Sequence, residues 1–376
     1  MNIAIASPAF GETGGISRYA WALAVHLRNR AHVVRCFGMT FEGGVGMADR
    51  NSVLRVPPWP HSASMYFFNR RVAKLITDIT FDIFHTQGDV ARAMVTTAHS
   101  CHKAGMARRR LVGEHTGGPM NFHIADSLRL QIERSLYGGR RYAKIIAVSQ
   151  GVKEELMEYY AVPGSDCVVV PNGVDLRTFH PALRATRGST LRKQLGIPDQ
   201  AHVLIIVANE FYRKGLGVLL DAVTLLHGVD LYVLVVGDDD PGPYRRRAGA
   251  TVSERNVIFA GKVREAGPWY AAADIFVMPT YYEAFSLATL EAAASGIPLL
   301  VTRVNGTEDL VADGENGMFV ERDADDVADK IRRLLDDTDR RVRMGQNARR
   351  TAERYDWPII VDRTLAVYKD VLGKAE

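Results

Sequence analysis

Apolar residues fall into two kinds of stretch that alternate along this chain. Short, nearly unbroken runs occur at Asn2-Ile3-Ala4-Ile5-Ala6-Ser7-Pro8, Val53–Val56, Ile83–His85, Val95–Ala98 and Ile145–Ser149. Their length and continuity predict strands buried on both faces. Between several of them the spacing changes to that of a helix, as at Ile16, Tyr19, Ala20, Leu23, Ala24 and Leu27. Strand, glycine loop (Gly11-Glu12-Thr13-Gly14-Gly15) and helix therefore open the chain. Such alternation predicts a parallel sheet covered by helices.

After Pro171-Asn172-Gly173-Val174-Asp175 a polar stretch through Arg184 to Ser189 carries turn residues without a period, and reads as a linker. The pattern then restarts, with strands predicted at His202–Ala208, Leu231–Val236, Val257–Ala260, Ile275–Met278 and Leu299–Val301. Helices are predicted at Leu216–Leu226 and Ser286–Ala294. The expectation is an α/β protein of two doubly wound, Rossmann-like domains: an N-terminal domain at 1–175, a linker at 176–200 and a C-terminal domain at 201–357. Ligands of such sheets sit at the carboxyl ends of the strands, so the active site is expected in a cleft where the domains face each other. The stretch Ile359–Leu372 has helical spacing at Ile360, Thr364, Val367, Tyr368 and Val371, and periodicity does not assign it to either domain.

A length of 376 residues agrees with two domains. With 47% hydrophobic and 24% charged residues, disordered and fibrous classes are excluded. Cys36, Cys101 and Cys167 are odd in number and contain no Cys-x-x-Cys pair, which argues against a disulfide framework or zinc knuckle and fits a reducing cytoplasm. The N-terminus lacks the basic and apolar regions of a signal peptide, and no run approaches the roughly 18 apolar residues of a membrane span. The formal charge of +4 is unevenly spread, with 20 Lys and Arg against 13 Asp and Glu over residues 1–172, and 27 against 30 beyond. Clusters at Arg70-Arg71, Arg108-Arg109-Arg110 and Arg140-Arg141 with Lys144 suit anionic partners such as phospholipid, phosphorylated glycan or nucleic acid. Solvated helix faces are the plainer alternative.

Several segments could carry chemistry. The loop at Gly11–Gly15 sits where backbone amides and a helix dipole receive phosphate, or is simply a tight turn. It is not Gly-x-Gly-x-x-Gly, which removes the main warrant for a dinucleotide-dependent oxidoreductase. In Asn209-Glu210-Phe211-Tyr212-Arg213-Lys214-Gly215-Leu216, a strand end, two adjacent cations and a helix start converge. An Arg fork beside a Lys point charge suits a diphosphate; exposed loop cations are the alternative. Glu283 precedes a helix and Glu291 lies roughly five residues inside it, about 7.5 Å along the axis. That placement meets poorly the opposed carboxylates of a glycosidase. It suits an extended ligand with its diphosphate at the helix start near Phe285 and Ser286, the shape of a sugar nucleotide, unless the two glutamates merely solubilise the helix. His99 ends a strand, and His115 and His123 follow in a loop; none has metal-ligand spacing. Asp238-Asp239-Asp240 reads as a turn and Asp221 as a helix face.

Taken in order, Gly14-Gly15, Ala147-Val148-Ser149, Pro171–Asp175, Arg213-Lys214-Gly215, Val236-Gly237, Tyr270-Ala271-Ala272-Ala273-Asp274 and Glu283 through Glu291 resemble the retaining glycosyltransferases of family 4 over essentially the whole chain. The resemblance implies a GT-B fold, a donor nucleotide sugar held mainly by the second domain, an acceptor held by the first, and a C-terminal helix, about 358–376, crossing back to the first domain. It implies that Arg213 and Lys214 meet the donor diphosphate, Glu291 the ribose, and Glu283 the donor-sugar hydroxyls. Phe285, Ser286 and Leu287 match the segment whose amides meet the donor. Gly15, beside Gly14, matches the glycine near the diphosphate, His99 the histidine near the reacting sugar, and Lys262 and Val263 the approach to the nucleobase. Two positions depart from the pattern: Ala208-Asn209 stands where many members carry Gly-Arg, and Ser286 stands where Gly is common, narrowing the donor pocket or adding a hydroxyl to it.

The implied activity is transfer of a hexosyl group, from a UDP sugar, to a hydroxyl of a glycan or glycolipid, as in polysaccharide or lipopolysaccharide synthesis. The loop sequence is most like the branch of lipopolysaccharide-core glucosyltransferases. No metal, no cofactor and no nucleic-acid partner are implied. The enzyme is expected in the cytoplasm, peripheral on the inner face of an anionic membrane. A GT-B epimerase or hydrolase, or a non-catalytic nucleotide-sugar-binding module, are the alternatives.

Overall fold

The computed structural model describes residues 1–12, 14–42, 51–56, 61–78, 81–88, 90–111, 120–251 and 256–373. The chain divides into two compact units, one of Met1–Gly173 with Trp357–Glu376 and one of Val174–Asp356. The first unit contains strands β1 (Asn2–Ala6), β2 (Ala9–Phe10), β3 (Val33–Gly38), β4 (Thr40–Phe41), β5 (Asn51–Val53), β6 (Ile83–Thr86), β7 (Val95–Ala98), β8 (Lys144–Ala147) and β9 (Cys167–Val169). Seven of them form a parallel sheet in the order β5-β3-β1-β6-β7-β8-β9, and β2 pairs with β4. Helices α1 (Gly15–Asn29), α2 (His61–Asp78), α3 (His102–Leu111), α4 (Met120–Glu133) and α5 (Gln150–Tyr160) belong to this unit.

The sheet residues Ile3, Ile5, Ile83, Val95 and Ile146 are buried with Leu23, Ala24 and Leu27 of α1, the face that the helical spacing marks. The same core takes in Ile360, Val361, Val367 and Tyr368 of the C-terminal helix (Trp357–Gly373). Salt bridges Arg30–Asp362 (2.9 Å) and Lys144–Asp370 (2.8 Å) tie that helix to α1 and β8. Two strand expectations shift or are missing. The edge strand lies at Asn51–Val53, paired with Cys36–Gly38, and not at Val53–Val56. Strand β3, beside the edge strand, escapes the apolar pattern because Val33 and Arg35 are exposed.

The second unit is a six-stranded parallel sheet of β10 (His202–Val207), β11 (Leu231–Val236), β12 (Val257–Gly261), β13 (Ile275–Met278), β14 (Leu299–Val301) and β15 (Gly317–Phe319), in the order β12-β11-β10-β13-β14-β15. Its helices are α6 (Ser189–Gln194), α7 (Phe211–Lys214), α8 (Leu216–Thr224), α9 (Gly242–Thr251), α10 (Gly267–Ala272), α11 (Leu287–Ala294), α12 (Thr307–Leu310), α13 (Ala324–Asp336) and α14 (Thr338–Ala352). The C-terminal helix described above is α15. Strand β10 pairs with β11 on one side and β13 on the other, so the order reverses there, and crossovers to opposite faces leave a crevice at the strand ends.

Residues 176–200 differ from the expected linker. They belong to the second unit, where a π-helical turn at Arg184–Gly188 runs into α6. Arg184 pairs with buried Asp274, and Arg192 Nη2 lies 2.8 Å from Asp274 Oδ2. Asp274 also accepts from the Val203 amide at 2.8 Å. Part of the polar character that reads as a linker comes from an ion cluster around buried Asp274 and Arg192, which exposed Arg184 joins and which fastens these turns to the sheet.

Candidate active site

The end of β10 is crowded. A Cβ on Gly237, just past β11, would lie 1.6 Å from the Ala208 carbonyl oxygen, so only glycine lets these two strand ends meet. The Gly237 amide donates to the Gly261 carbonyl at 3.0 Å, which brings the end of β12 alongside. From here the chain turns into α7, whose first amide, on Phe211, donates to Asp239 Oδ2 at 2.7 Å. Helix α7 ends at Gly215 in the left-handed region (φ 83°), where a Cβ would lie 2.2 Å from the Pro279 carbonyl oxygen. This close approach carries Arg213 and Lys214 to the segment after β13: Thr280 Oγ1 donates to the Arg213 carbonyl at 3.0 Å.

Glu283 is the partner that both cations meet. Lys214 Nζ contacts Glu283 Oε1 directly, and Arg213 Nη1 donates to the same oxygen and to the Tyr282 carbonyl, at 2.7 Å each. Arg213 also pairs with Glu210. Burial works against the ionised form of Glu283, but Lys214 and Arg213 outweigh it and hold its carboxyl below the usual range. Burial lowers the Lys214 ammonium, with Glu283 opposing. Burial also disfavours charge on Arg213, yet Glu283 and Glu210 hold it above its ordinary value. Arg213 and Lys214 are balanced by Glu283 and Glu210, and the cluster can receive an anion by exchanging a carboxylate for it.

The segment continues into α11. Ser286 caps it, accepting from the Thr289 amide at 3.1 Å and from Thr289 Oγ1 at 2.8 Å, so its hydroxyl is engaged in the cap and is 2% exposed. Phe285 is buried before the cap, its ring 5.9 Å from Tyr355, and Leu287 opens the helix. Glu291 is buried on α11 and accepts at Oε2 from the Tyr270 hydroxyl at 3.0 Å. Asn209 accepts from the Asp238 amide at 3.4 Å. Lys262 is exposed past β12, with Val263 half-buried beside it.

The remaining candidates belong to the first unit. Gly14, at φ 80°, precedes α1 and Gly15 opens it, both exposed. His99 follows the end of β7; its Nε2 lies 3.0 Å from Gln87 Oε1 and its ring meets Tyr19 edge-on at 4.9 Å. Burial lowers its pKa to about 3, so the ring is neutral. His123 lies within α4 rather than in a loop, and His115 lies outside the described residues. Thus Arg213, Lys214 and Glu283 touch, Phe285 to Glu291 follow on one segment, and Gly14, Gly15 and His99 are placed on a separate unit.

Sequence reasoning assigned no site role to Gln87, His85 or Tyr270, and read Asp239 only as part of a turn. Only Tyr270 carried a signal, as the first residue of the Tyr270–Asp274 motif. Of the basic cluster on α3, Arg108 and Arg110 are exposed and Arg109 is half-buried. Among the described residues no group of three or more His, Cys, Asp or Glu could hold a metal ion, and no described helix is long and apolar enough to cross a membrane.

Comparison with known proteins gives a consistent outcome. The family described as "Glycosyltransferase Family 4" matches residues 13–178, and "Glycosyl transferases group 1" matches 189–351. The D-inositol 3-phosphate glycosyltransferase of Thermomonospora curvata is 30% identical over 315 residues, covering 77% of this chain and 71% of the relative. The protein of that name in Corynebacterium glutamicum is 33% identical over 245 residues, 61% of this chain and 58% of its own. Among solved structures, WaaG, a glycosyltransferase involved in lipopolysaccharide biosynthesis, superposes with a TM-score of 0.81 at 20% identity over 97% of this chain and 99% of its own. Anabaena HepE, in complex with UDP and glucose, does so with a TM-score of 0.74 at 19% identity over 98% and 99%.

Proposed function

Because the chain belongs to glycosyltransferase family 4, with the GT-B fold, we propose that it is a retaining, metal-independent hexosyltransferase using a UDP sugar. The observation that carries this reading is the buried contact of Arg213, Lys214 and Glu283 at the sheet's switch point, one segment from Glu291. The cations receive the donor diphosphate, with the start of α11 beyond them; Glu283 then turns to the sugar hydroxyls and Glu291 to the ribose. HepE, with UDP and glucose bound, offers the precedent for this donor class.

In the reaction, the anomeric carbon gains oxocarbenium character as its bond to the diphosphate oxygen breaks. Lys214 and Arg213 stabilise the charge that builds on the leaving group. A diphosphate oxygen takes the acceptor hydroxyl's proton on the face from which the leaving group departs, so configuration is retained without an enzymic nucleophile. His99 and the Gly14-Gly15 turn are assigned to the transferred sugar, and Lys262 and Val263 to the base. The acceptor is a glycan or glycolipid hydroxyl, next to phosphate or on an anionic cytoplasmic membrane surface. The positive surplus of the first half supports that, as does the phosphorylated acceptor in the relatives' name. The test is thermal unfolding with UDP, GDP, ADP and their sugars. A ligand at 100 times its dissociation constant adds about 2.7 kcal/mol. UDP and a UDP sugar should raise the transition most; a panel without response removes the reading.

A further inference from the structure

Behind His99 lies a run of buried polar side chains that the proposed transfer does not use. His85, on β6, is fully buried, as are Gln87 just past that strand and Tyr368 on α15. Buried polar groups are costly unless satisfied, and a satisfied network fixes one arrangement of its members. His99 Nε2 lies 3.0 Å from Gln87 Oε1, Gln87 Nε2 lies 3.4 Å from His85 Nε2, and His85 Nδ1 lies 2.6 Å from the Tyr368 hydroxyl. Thr97 Oγ1 is 2.7 Å from His85 Nε2. The Gln87 backbone is held too, its amide donating to Ala6 at 2.9 Å.

We propose that Gln87 is a positioning residue: it sets the tautomer and direction of the His99 ring, and is itself held by His85 of β6, which Tyr368 of the C-terminal helix fixes in turn. The donor and acceptor roles decide the direction of the network. Both imidazoles are neutral, because burial pushes each pKa down to about 3, so each ring has one N–H and one lone pair. If His85 Nε2 were the donor, its N–H could serve Thr97 but would face the Gln87 amide N–H, donor against donor. As the acceptor it receives the Thr97 hydroxyl and the Gln87 amide N–H together, and Nδ1–H donates to Tyr368. Gln87 then presents its carbonyl to His99, whose Nε2 must carry the proton. His99 Nδ1 is left as a hydrogen-bond acceptor, suited to a sugar hydroxyl. This part of the argument rests on the assignment of His99 to the transferred sugar.

The test uses the full chain labelled with 15N-histidine, in which two-bond nitrogen–proton correlations distinguish the tautomers, together with UDP release from UDP-glucose by slow transfer to water. The wild type should show His99 in the Nε2–H form. Gln87→Leu should shift His99 toward Nδ1–H and lower kcat about 3- to 10-fold, the worth of one hydrogen bond, while KM for UDP-glucose and the affinity for UDP change less than about twofold. Tyr368→Phe should move the tautomer balance in the same direction by less. A wild-type His99 in the Nδ1–H form overturns the proposal whatever the variants do, and so does an unchanged tautomer in a folded Gln87→Leu protein. Absence of UDP binding by the wild type would instead remove the transferase reading, and the tautomer spectra would still decide the role of Gln87.

Discussion

Lys214 and Glu283 neutralise each other in a buried contact, so a change to either acts on both. Lys214→Ala should lower kcat/KM for the donor by roughly 10- to 150-fold, since a charge-assisted hydrogen bond is worth about 1.5–3 kcal/mol. Kinetics with varied UDP-glucose checks this, and an unchanged kcat/KM would place the diphosphate elsewhere. The two glutamates should separate in calorimetry. Glu291→Gln weakens UDP and UDP-glucose alike, because ribose is common to both. Glu283→Gln weakens UDP-glucose but spares UDP, whose diphosphate then meets Lys214 and Arg213 without a competing carboxylate; equal losses for both ligands would refute these roles. Arg213-Lys214 and Glu283 to Glu291 were legible in the sequence because each lies on one continuous loop-to-helix segment. The roles of Gln87 and Tyr270 were not, since each depends on a partner, 12 and 21 residues away, that only the fold brings near.

The turns at 181–194 are fastened through one buried carboxylate together with the carbonyls of Ala201, Ala272 and Ala273, which accept from the same arginines. Asp274 holds Arg184, Arg192 and the start of β10, and burial would raise its pKa were it not for Arg184 and Arg192, which carry it below the usual range. A depressed folded-state pKa contributes stability above the unfolded value, about 3.9, that is lost as pH falls through the folded value, so this cluster fails only in strong acid. Asp274→Ala leaves a buried Arg192 unpaired and should cost about 3–5 kcal/mol in urea unfolding, with the loss shrinking as the wild type is acidified below pH 4. A cost under about 1 kcal/mol would mean that apolar packing alone holds these turns. The expected linker at 176–200 failed for the same reason: a local reading of polar residues has no access to the buried Asp274 that pairs with them. Strands Val95–Ala98, Leu231–Val236, Ile275–Met278 and Leu299–Val301 were legible to the residue, being apolar and flanked by turns. The strands β9 and β15, three residues long like β14, take their conformation from the neighbours they pair with.

At the scale of the whole molecule, charge is divided as the fold is. Residues 1–172, nearly all of the first unit outside its C-terminal helix, carry 20 basic against 13 acidic residues, while the remainder carries 27 against 30. Attraction to an anionic leaflet is worth about 1 kcal/mol for each Lys or Arg at the surface and fades within about 10 Å at 0.1 M salt, so only exposed charges near one another contribute. Arg108 and Arg110 meet the exposure condition at the end of α3, whereas Arg109 is half-buried. Successive helix positions are about 100° apart, so Arg108 and Arg110 diverge and can give at most about 1–2 kcal/mol together. Other exposed basic residues of the first unit, such as Arg140 and Arg141, would have to act with them. The expected outcome is therefore weak, salt-sensitive sedimentation with phosphatidylglycerol vesicles at low salt, lost by about 0.5 M. A triple Arg→Ala change at Arg108, Arg109 and Arg110 should reduce it without abolishing it. Neutral phosphatidylcholine vesicles should bind nothing. If the wild type stays in the supernatant with anionic vesicles at low salt, the surplus charge serves a phosphorylated acceptor met away from the membrane, and kcat/KM for such an acceptor, rather than vesicle binding, should then fall with salt.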